Sequence, residues 1–350
     1  MSKLVIASGA LGRVPLVVGR PNGSPVAIVG DRRLRPALDR LERALAARGF
    51  RTTTVTVRAN EALKSLSALG PLYGKLLRAG LDRRSTIVGV GGGTIGDAVG
   101  FLAATYLRGV RFVSVPTTLL ADVDSALGGK TGVNHELGKN LIGVFSQPET
   151  IVVDPALLRT LDARDRISGL GEIVKYGLIA DPALYRSLRE RWRELVELRE
   201  PYTSKTIRRC LAIKARIVAA DERELTGLRE QLNFGHTVAH ALEAVAGFGT
   251  LRHGEAVIVG MRAATRLSAL RGTLSAGAAA AIDAFLGALP VPPKWRRAPA
   301  SAVAAATRHD KKRTAKGLRF VLLDRIGHTV RADGVSTEEL VHVLREVGFR

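Results

Sequence analysis

Between Thr86 and Gly96 the chain reads TIVGVGGGTIG, a short β-branched apolar run that passes directly into three consecutive glycines. Such a run reads as a strand buried on both faces, and strands covered on both faces belong to parallel sheets flanked by helices. Gly91-Gly92-Gly93-Thr94-Ile95-Gly96 then fits G-x-G-x-x-G, with a strand before it and a helix after it. Glycines let backbone amides approach a pyrophosphate, and the helix N-terminus adds partial positive charge. The loop lies in a later strand–helix unit, and no acid about 20 residues on is placed for the ribose in the usual way. It therefore points to a nucleotide site outside the standard dinucleotide fold, with a plain glycine turn as the alternative.

The surrounding sequence alternates in the same manner. SPVAIVGD reads as a strand ending at Asp31, Leu34–Arg48 as a helix, Arg51–Val57 as a strand and Leu66–Ala79 as a helix. Thr86–Val90 is the next strand, followed by a helix to about Leu107 and a strand over Val110–Val115 closed by Pro116. After Asp154 the pattern becomes helical: Arg164–Ile179, Pro182–Leu198, Pro201–Asp221, Gln231–Val245, Glu255–Leu270 and Ser275–Leu286. A strand pair, Leu318–Leu323 and His328–Arg331, and a helix from Thr337 follow. The expectation is an α/β nucleotide-binding domain with a parallel sheet over 1–160 and a mainly α-helical metal- and substrate-binding domain over 161–350. A cleft between them is the natural place for chemistry.

Two further segments carry chemistry. In VPTTLLADVDSALGGKTGVNHELGKN, Asp124 precedes Lys130, which stands between Gly129 and Gly132, and Lys139-Asn140 closes the run. Lysines bounded by glycines in a loop after a parallel strand make a phosphate cradle, because small neighbours let substrate oxygens reach ammonium and backbone donors. Of seven histidines, three fall in NFGHTVAHALEA and RHGEAV. His236 and His240, at i and i+4, share a helix face and can chelate zinc. His253 precedes the next helix, and Glu172 and Lys175 share a face at i and i+3. The residues alone leave open which three groups bind a metal.

Composition narrows the class. The net charge of +21 admits nucleic acid, an anionic substrate or an Arg-rich surface as explanations. The arginines are scattered and only 5% of residues are aromatic, which argues against nucleic acid and its stacking platforms. No apolar run reaches the roughly 18–20 residues of a membrane span, and MSKLVIASGALGR lacks a signal peptide's apolar core. A cytoplasmic enzyme with no membrane partner is expected. The single cysteine, Cys210, excludes an internal disulfide and a cysteine zinc site; its helical context reads as packing.

Together, GGGTIGDAVGFLAATYLRGVRF, PTTLLADVDSALGGKTGVNHELGKN, GLGEIVKYGLI, LNFGHTVAHALEA, RHGEA and HDKK, in that order across about residues 60–330, resemble the 3-dehydroquinate synthases of the sugar phosphate cyclase superfamily. The resemblance implies a homodimer with NAD and Zn2+ (or Co2+). It implies metal ligands Glu172, His236 and His253, which moves His240 from the metal to the substrate phosphate. NAD is implied at Gly92, Gly93, Asp97, Thr117, Thr118, Lys130 and Lys139, with Asp31, Glu61 and Lys64 near its adenosine half. Asp124, Lys130, Lys175, Lys214, Arg229, Asn233 and His240 are the implied catalytic residues, and Lys139, Asn140 and Lys311 further substrate contacts. Arg108 resembles an arginine that reaches a neighbouring subunit's site.

The implied reaction converts 3-deoxy-D-arabino-heptulosonate 7-phosphate to 3-dehydroquinate and phosphate by transient oxidation, phosphate elimination, re-reduction and aldol closure. Departures from the family pattern are Arg33 near the cofactor, Ala126-Leu127 after Asp124, one extra residue before Gly227-Leu228-Arg229, and Arg252 before His253. Cyclases of amino-analogues, of sedoheptulose 7-phosphate or of glucose 6-phosphate are the near alternatives, and an NAD- and metal-dependent alcohol dehydrogenase the distant one. The intact Gly128-Gly129-Lys130-Thr131-Gly132 and Asn233-Phe234-Gly235-His236 favour the sugar acid.

Overall fold

The computed structural model describes residues 2–247, 249–307, 313–314 and 317–350. Its strands are β1 (Lys3–Ile6), β2 (Val26–Asp31), β3 (Thr52–Val57), β4 (Thr86–Gly91), β5 (Arg111–Pro116), β6 (Lys130–His135), β7 (Gly138–Phe145), β8 (Thr150–Val153), β9 (Arg313–Thr314), β10 (Gly317–Arg325) and β11 (His328–Val335). Its helices are α1 (Val14–Val18), α2 (Arg35–Ala46), α3 (Leu66–Arg78), α4 (Gly93–Thr105), α5 (Ala163–Ala180), α6 (Pro182–Val196), α7 (Tyr202–Ala220), α8 (His236–Ala246), α9 (His253–Leu270), α10 (Ala276–Gly287), α11 (Ala300–Ala306) and α12 (Thr337–Val347). The chain divides into two compact units, residues 1–161 with 200–219 and residues 162–199 with 220–350.

In the first unit a six-stranded sheet runs β1-β8-β5-β4-β2-β3. Every pairing in it is parallel. Every residue of β4 is buried, as its unbroken apolar run requires. Leu69, Leu72 and Leu76 of α3 and Ile95, Val99 and Leu102 of α4 form one core. Leu38, Leu41 and Leu45 of α2 pack with Ile28, Val88 and Val113 in the other. The i, i+3, i+7 spacing of the α2 and α3 leucines is what lets each helix cover the sheet with one stripe.

The sheet order reverses between β2 and β4, since the chain fills one side through β3 and the other through β5 and β8. Gly30 pairs with Val90. Gly91 pairs with Pro116. The C-terminal ends of β2, β4 and β5 therefore sit side by side at the reversal, where open parallel sheets bind ligands.

Several expectations are corrected. Strands β1 and β8 were not anticipated, because four residues are too few to show a period. The expected loop around Lys130 is an antiparallel hairpin, β6 against β7, with Lys130 opposite Phe145 and Gly132 opposite Gly143. Helix α7, expected with the helical domain, belongs to the first unit: Lys214 donates to the Asp124 carbonyl at 2.8 Å, and Arg208 to the Ile6 carbonyl at 3.0 Å. The helix expected over Gln231–Val245 breaks at Gly235, whose φ of 79° is left-handed, so that α8 starts at His236.

The second unit comprises α5, α6, α8–α12 and a sheet of order β11-β10-β9. Its helices approach through glycines. A β-carbon on Gly254 would lie 1.8 Å from the Ser168 carbonyl oxygen, one on Gly171 2.4 Å from that of Gly254, and one on Gly260 2.0 Å from that of Gly235. Such distances are impossible for real atoms, so α5 can touch α9, and α9 the start of α8, only while these positions lack side chains. Lys311 and the surrounding HDKK motif lie outside the described residues. Cys210 is fully buried, in keeping with a packing role. No helix among the described residues is long and apolar enough to cross a membrane.

Candidate functional site

The first constellation lies at the strand ends of the parallel sheet. Gly92 is the extended N-cap of α4, and no side chain caps that helix. Its first amides have no partner within the helix, so a diphosphate suits them. A β-carbon on Gly92 would meet Thr118 Cγ2 at 2.8 Å, and one on Gly93 the Ser125 hydroxyl at 3.0 Å. Thr117 is held alongside by a 3.1 Å bond from its amide to the Gly91 carbonyl. At the end of β2, the two Asp31 oxygens accept from the Arg33 amide at 3.1 Å and the Arg33 Nε at 2.7 Å. A ribose hydroxyl at Asp31 would thus share that carboxylate with the unusual arginine.

Glu61, Lys64, Asp97, Lys139 and Asn140 belong to one polar network. Buried Lys64 donates to Asp97 Oδ2 at 2.7 Å and to the Asn140 side-chain oxygen. Burial lifts the Asp97 carboxyl above the usual carboxylate range, although Lys64 pulls it down. Asn134, which sequence reasoning missed, ties the network together. Its oxygen accepts from the Asn140 amide at 3.0 Å, and its nitrogen donates to Glu61 Oε1 at 2.7 Å. Lys139 is 3.9 Å from Glu61. Lys130 is exposed at the start of β6, and buried Lys214 of α7 is paired with the Asp124 carboxylate. Arg108 is exposed and follows Leu107, both at positive φ (68° and 49°), a strained backbone that holds the arginine outward.

The second constellation is carried by α5, α8 and α9. Glu172 is fully buried, His236 opens α8 and His253 opens α9. Each stands beside a glycine of the close helix contacts: Gly171, Gly235 and Gly254. The Nε2 atoms of His236 and His253 both lie 3.4 Å from Glu172 Oε1. The other oxygen, Oε2, is paired with Lys175, which is 1% exposed.

Neither Glu172 oxygen accepts a well-formed hydrogen bond. A buried carboxylate crowded by nitrogens yet without aligned donors is what remains when a cation belongs at the centre. One carboxylate oxygen and two imidazole nitrogens suit zinc or cobalt and leave a position open for a substrate oxygen.

In the metal-free site the electrostatics suit Glu172 and His236 as donors, whereas His253 must release a proton before it can bind a metal. Burial would raise the Glu172 carboxyl, but Lys175 and His236 hold it well below the usual range, so it stays ionised. Burial and the Lys175 charge lower the His236 pKa, keeping that imidazole neutral. Burial would also lower His253, but Glu172 and Glu243 on its two nitrogens raise it to about 10. His240 is exposed, its ring centroid 5.5 Å from that of His236 and 6.0 Å from that of His253. Arg229 is buried in its own loop, its Nη1 donating to the Glu222 carbonyl at 2.9 Å and its amide to Asp221 at 3.2 Å. Asn233 lines a small cavity with Gly235, Thr237 and Phe320.

The comparisons with known proteins agree with one another. The family model for the 3-dehydroquinate synthase N-terminal domain matches residues 54–168, and that for the 3-dehydroquinate synthase C-terminal domain matches residues 169–313. A 3-dehydroquinate synthase of Chlorobaculum tepidum is 45% identical over 300 residues, 84% of this chain and 82% of its own. Among solved structures, a 2-deoxy-scyllo-inosose synthase complexed with carbaglucose-6-phosphate, NAD+ and Co2+ aligns with a TM-score of 0.85 at 25% identity, covering 98% of this chain and 96% of that one. ValA, the 2-epi-5-epi-valiolone synthase of Streptomyces hygroscopicus, with NAD+ and Zn2+ bound, aligns with a TM-score of 0.85 at 27% identity, covering 99% and 96%.

Proposed function

The chain belongs to the 3-dehydroquinate synthase family, and we propose that its two constellations divide the chemistry of that enzyme between them. It is a lyase that converts 3-deoxy-D-arabino-heptulosonate 7-phosphate to 3-dehydroquinate and phosphate, using NAD and a divalent metal without net oxidation. When bound, the metal supplies Lewis acidity to a substrate hydroxyl and NAD takes up and returns a hydride.

Glu172 Oε1, His236 Nε2 and His253 Nε2 hold the metal, and the nitrogen-rich donor set favours zinc. Lys175 occupies Glu172 Oε2, so only Oε1 is left to coordinate. Backbone amides at Gly92 and Gly93, with Thr117 and Thr118, take the NAD pyrophosphate, and the Lys64–Asp97 pair flanks it. Lys130, Asn140, Asn233 and His240 are assigned to the phosphate, and Lys214 and Arg229 to the carboxylate; fixed cations stabilise the charge that grows as phosphate departs. Leu141, Val144 and Phe145 stand exposed on the β6–β7 hairpin, and with the strained, outward Arg108 they support a homodimer.

The observation that carries this reading is the buried Glu172 with two Nε2 atoms at 3.4 Å from one oxygen. Supplied with NAD, zinc and the seven-carbon acid phosphate, the protein should release phosphate and carbocycle in equal amounts with no accumulation of NADH. Turnover of sedoheptulose 7-phosphate in place of the acid would overturn the substrate assignment.

A further inference from the structure

Glu243 on α8 lies outside the residues assigned so far. Its Oε1 is 3.3 Å from His253 Nδ1, while the opposite ring nitrogen of His253 faces Glu172 at 3.4 Å. Its side chain is 16% exposed, and it sits one helical turn from His240 and two from His236. The two metal-facing histidines are oriented differently. His236 Nδ1 is 3.2 Å from the Phe234 carbonyl oxygen, a neutral acceptor fixed by the backbone. His253 has a carboxylate there instead, delivered from another helix.

We propose that Glu243 is a positioning residue for the metal: by accepting a hydrogen bond from His253 Nδ1 it fixes the ring's rotation and directs the Nε2 lone pair at the position beside Glu172 Oε1. A carboxylate accepting from the far nitrogen also makes the imidazole a stronger donor than a carbonyl does, and loss of such a partner costs about 10–100-fold in metal affinity. The arrangement compensates for a weakness of the site. His253 is the most exposed of the three ligands, 34% against 10% for His236 and 0% for Glu172, so packing alone restrains its ring least. His240, Glu243 and His253 also form a second group with metal-ligand spacing, and a second cation there is the competing explanation for the same geometry.

The proposal rests on the metal reading given above, and one experiment separates the two. The protein, stripped of metal and checked for folding by circular dichroism, is titrated with Co2+, and visible absorption reports coordination and stoichiometry. The expected result is one Co2+ per chain in the wild type, about 10–100-fold weaker binding in Glu243→Ala, and an intermediate loss in Glu243→Gln, which keeps an acceptor but not the charge. The Co2+ spectrum of Glu243→Ala at saturation should also shift, a change that mere destabilisation of α8 does not produce. Equal affinity and an unaltered spectrum in Glu243→Ala overturn the proposal. So do two Co2+ per chain, the second alone lost on substitution. Failure of the wild type to bind Co2+ would instead refute the metal reading itself.

Discussion

Both constellations are built around glycine, and they use it for opposite purposes. At Gly92 and Gly93 the missing side chains clear the way to backbone amides, and the nearest obstacle to an added carbon is the end of a side chain, Thr118 or Ser125. At Gly254 and Gly171 the missing side chains are filled by other backbone, and the obstacle is a carbonyl oxygen. On the proposed assignment the first unit offers the main chain to a ligand and keeps its fold separate from its site. In the second unit the contact that packs α5 on α9 is the one that sets Glu172 beside His253, so fold and site cannot be altered independently. Substitutions of the same size should have different kinds of consequence in the two regions.

The largest effect should come from Glu172→Ala. It leaves the Lys175 ammonium buried without that carboxylate, a loss of about 3–5 kcal/mol in the metal-free protein. Denaturant unfolding would measure it, and a change under 1 kcal/mol would mean that the pair is not buried as described. Gly254→Ala comes next. Its methyl group collides with the Ser168 carbonyl, so the cost should reach or exceed the top of the ~1–3 kcal/mol range of overpacked cores, with metal affinity lost in step. A stable Gly254→Ala protein with normal metal affinity would break the link between packing and site.

A smaller effect tests the first unit where it departs from the comparison. Asp122 there is fully buried, neither of its oxygens has a hydrogen-bond partner, and burial, with the Asp154 charge, raises its carboxyl well above 3.8. The folded state keeps a proton that the unfolded chain has released, so each pH unit above about 3.8 costs up to ~1.4 kcal/mol of stability until the folded pKa is passed. Asp122→Asn should flatten the fall in stability that sets in above about pH 3.8, as read from unfolding midpoints across a pH series. An unchanged slope would assign the pH dependence elsewhere.

The two regions also differed in how far the sequence disclosed them. The glycine loop was legible because its information is local: a β-branched run, three glycines and a helix lie consecutively. The metal cluster was half legible. His236 and His240 at i, i+4 suggested a chelating pair by geometry, and the family resemblance replaced His240 with Glu172 and His253, residues that the structure brings together across three helices. Nothing local marks Glu243, which reads as an ordinary helical glutamate until α9 is folded against α8. Gly171 and Gly254 carry no local sign of their role, since the two positions that meet are 83 apart in the chain. Asn134 was missed for a similar reason: its role depends on the hairpin that brings it to Asn140 and Glu61. The misplacement of α7 has the same origin, because Lys214 finds Asp124 across 90 residues.

A crossed binding experiment tests whether the first unit's glycine loop holds NAD and the second unit's cluster holds the metal. NAD and Co2+ affinities are measured by titration on His236→Ala and Gly92→Ala proteins that remain folded. His236→Ala should lose Co2+ binding by at least about 10-fold while retaining NAD, and Gly92→Ala should show the reverse. Loss of both ligands in both variants, or of neither, would contradict that assignment.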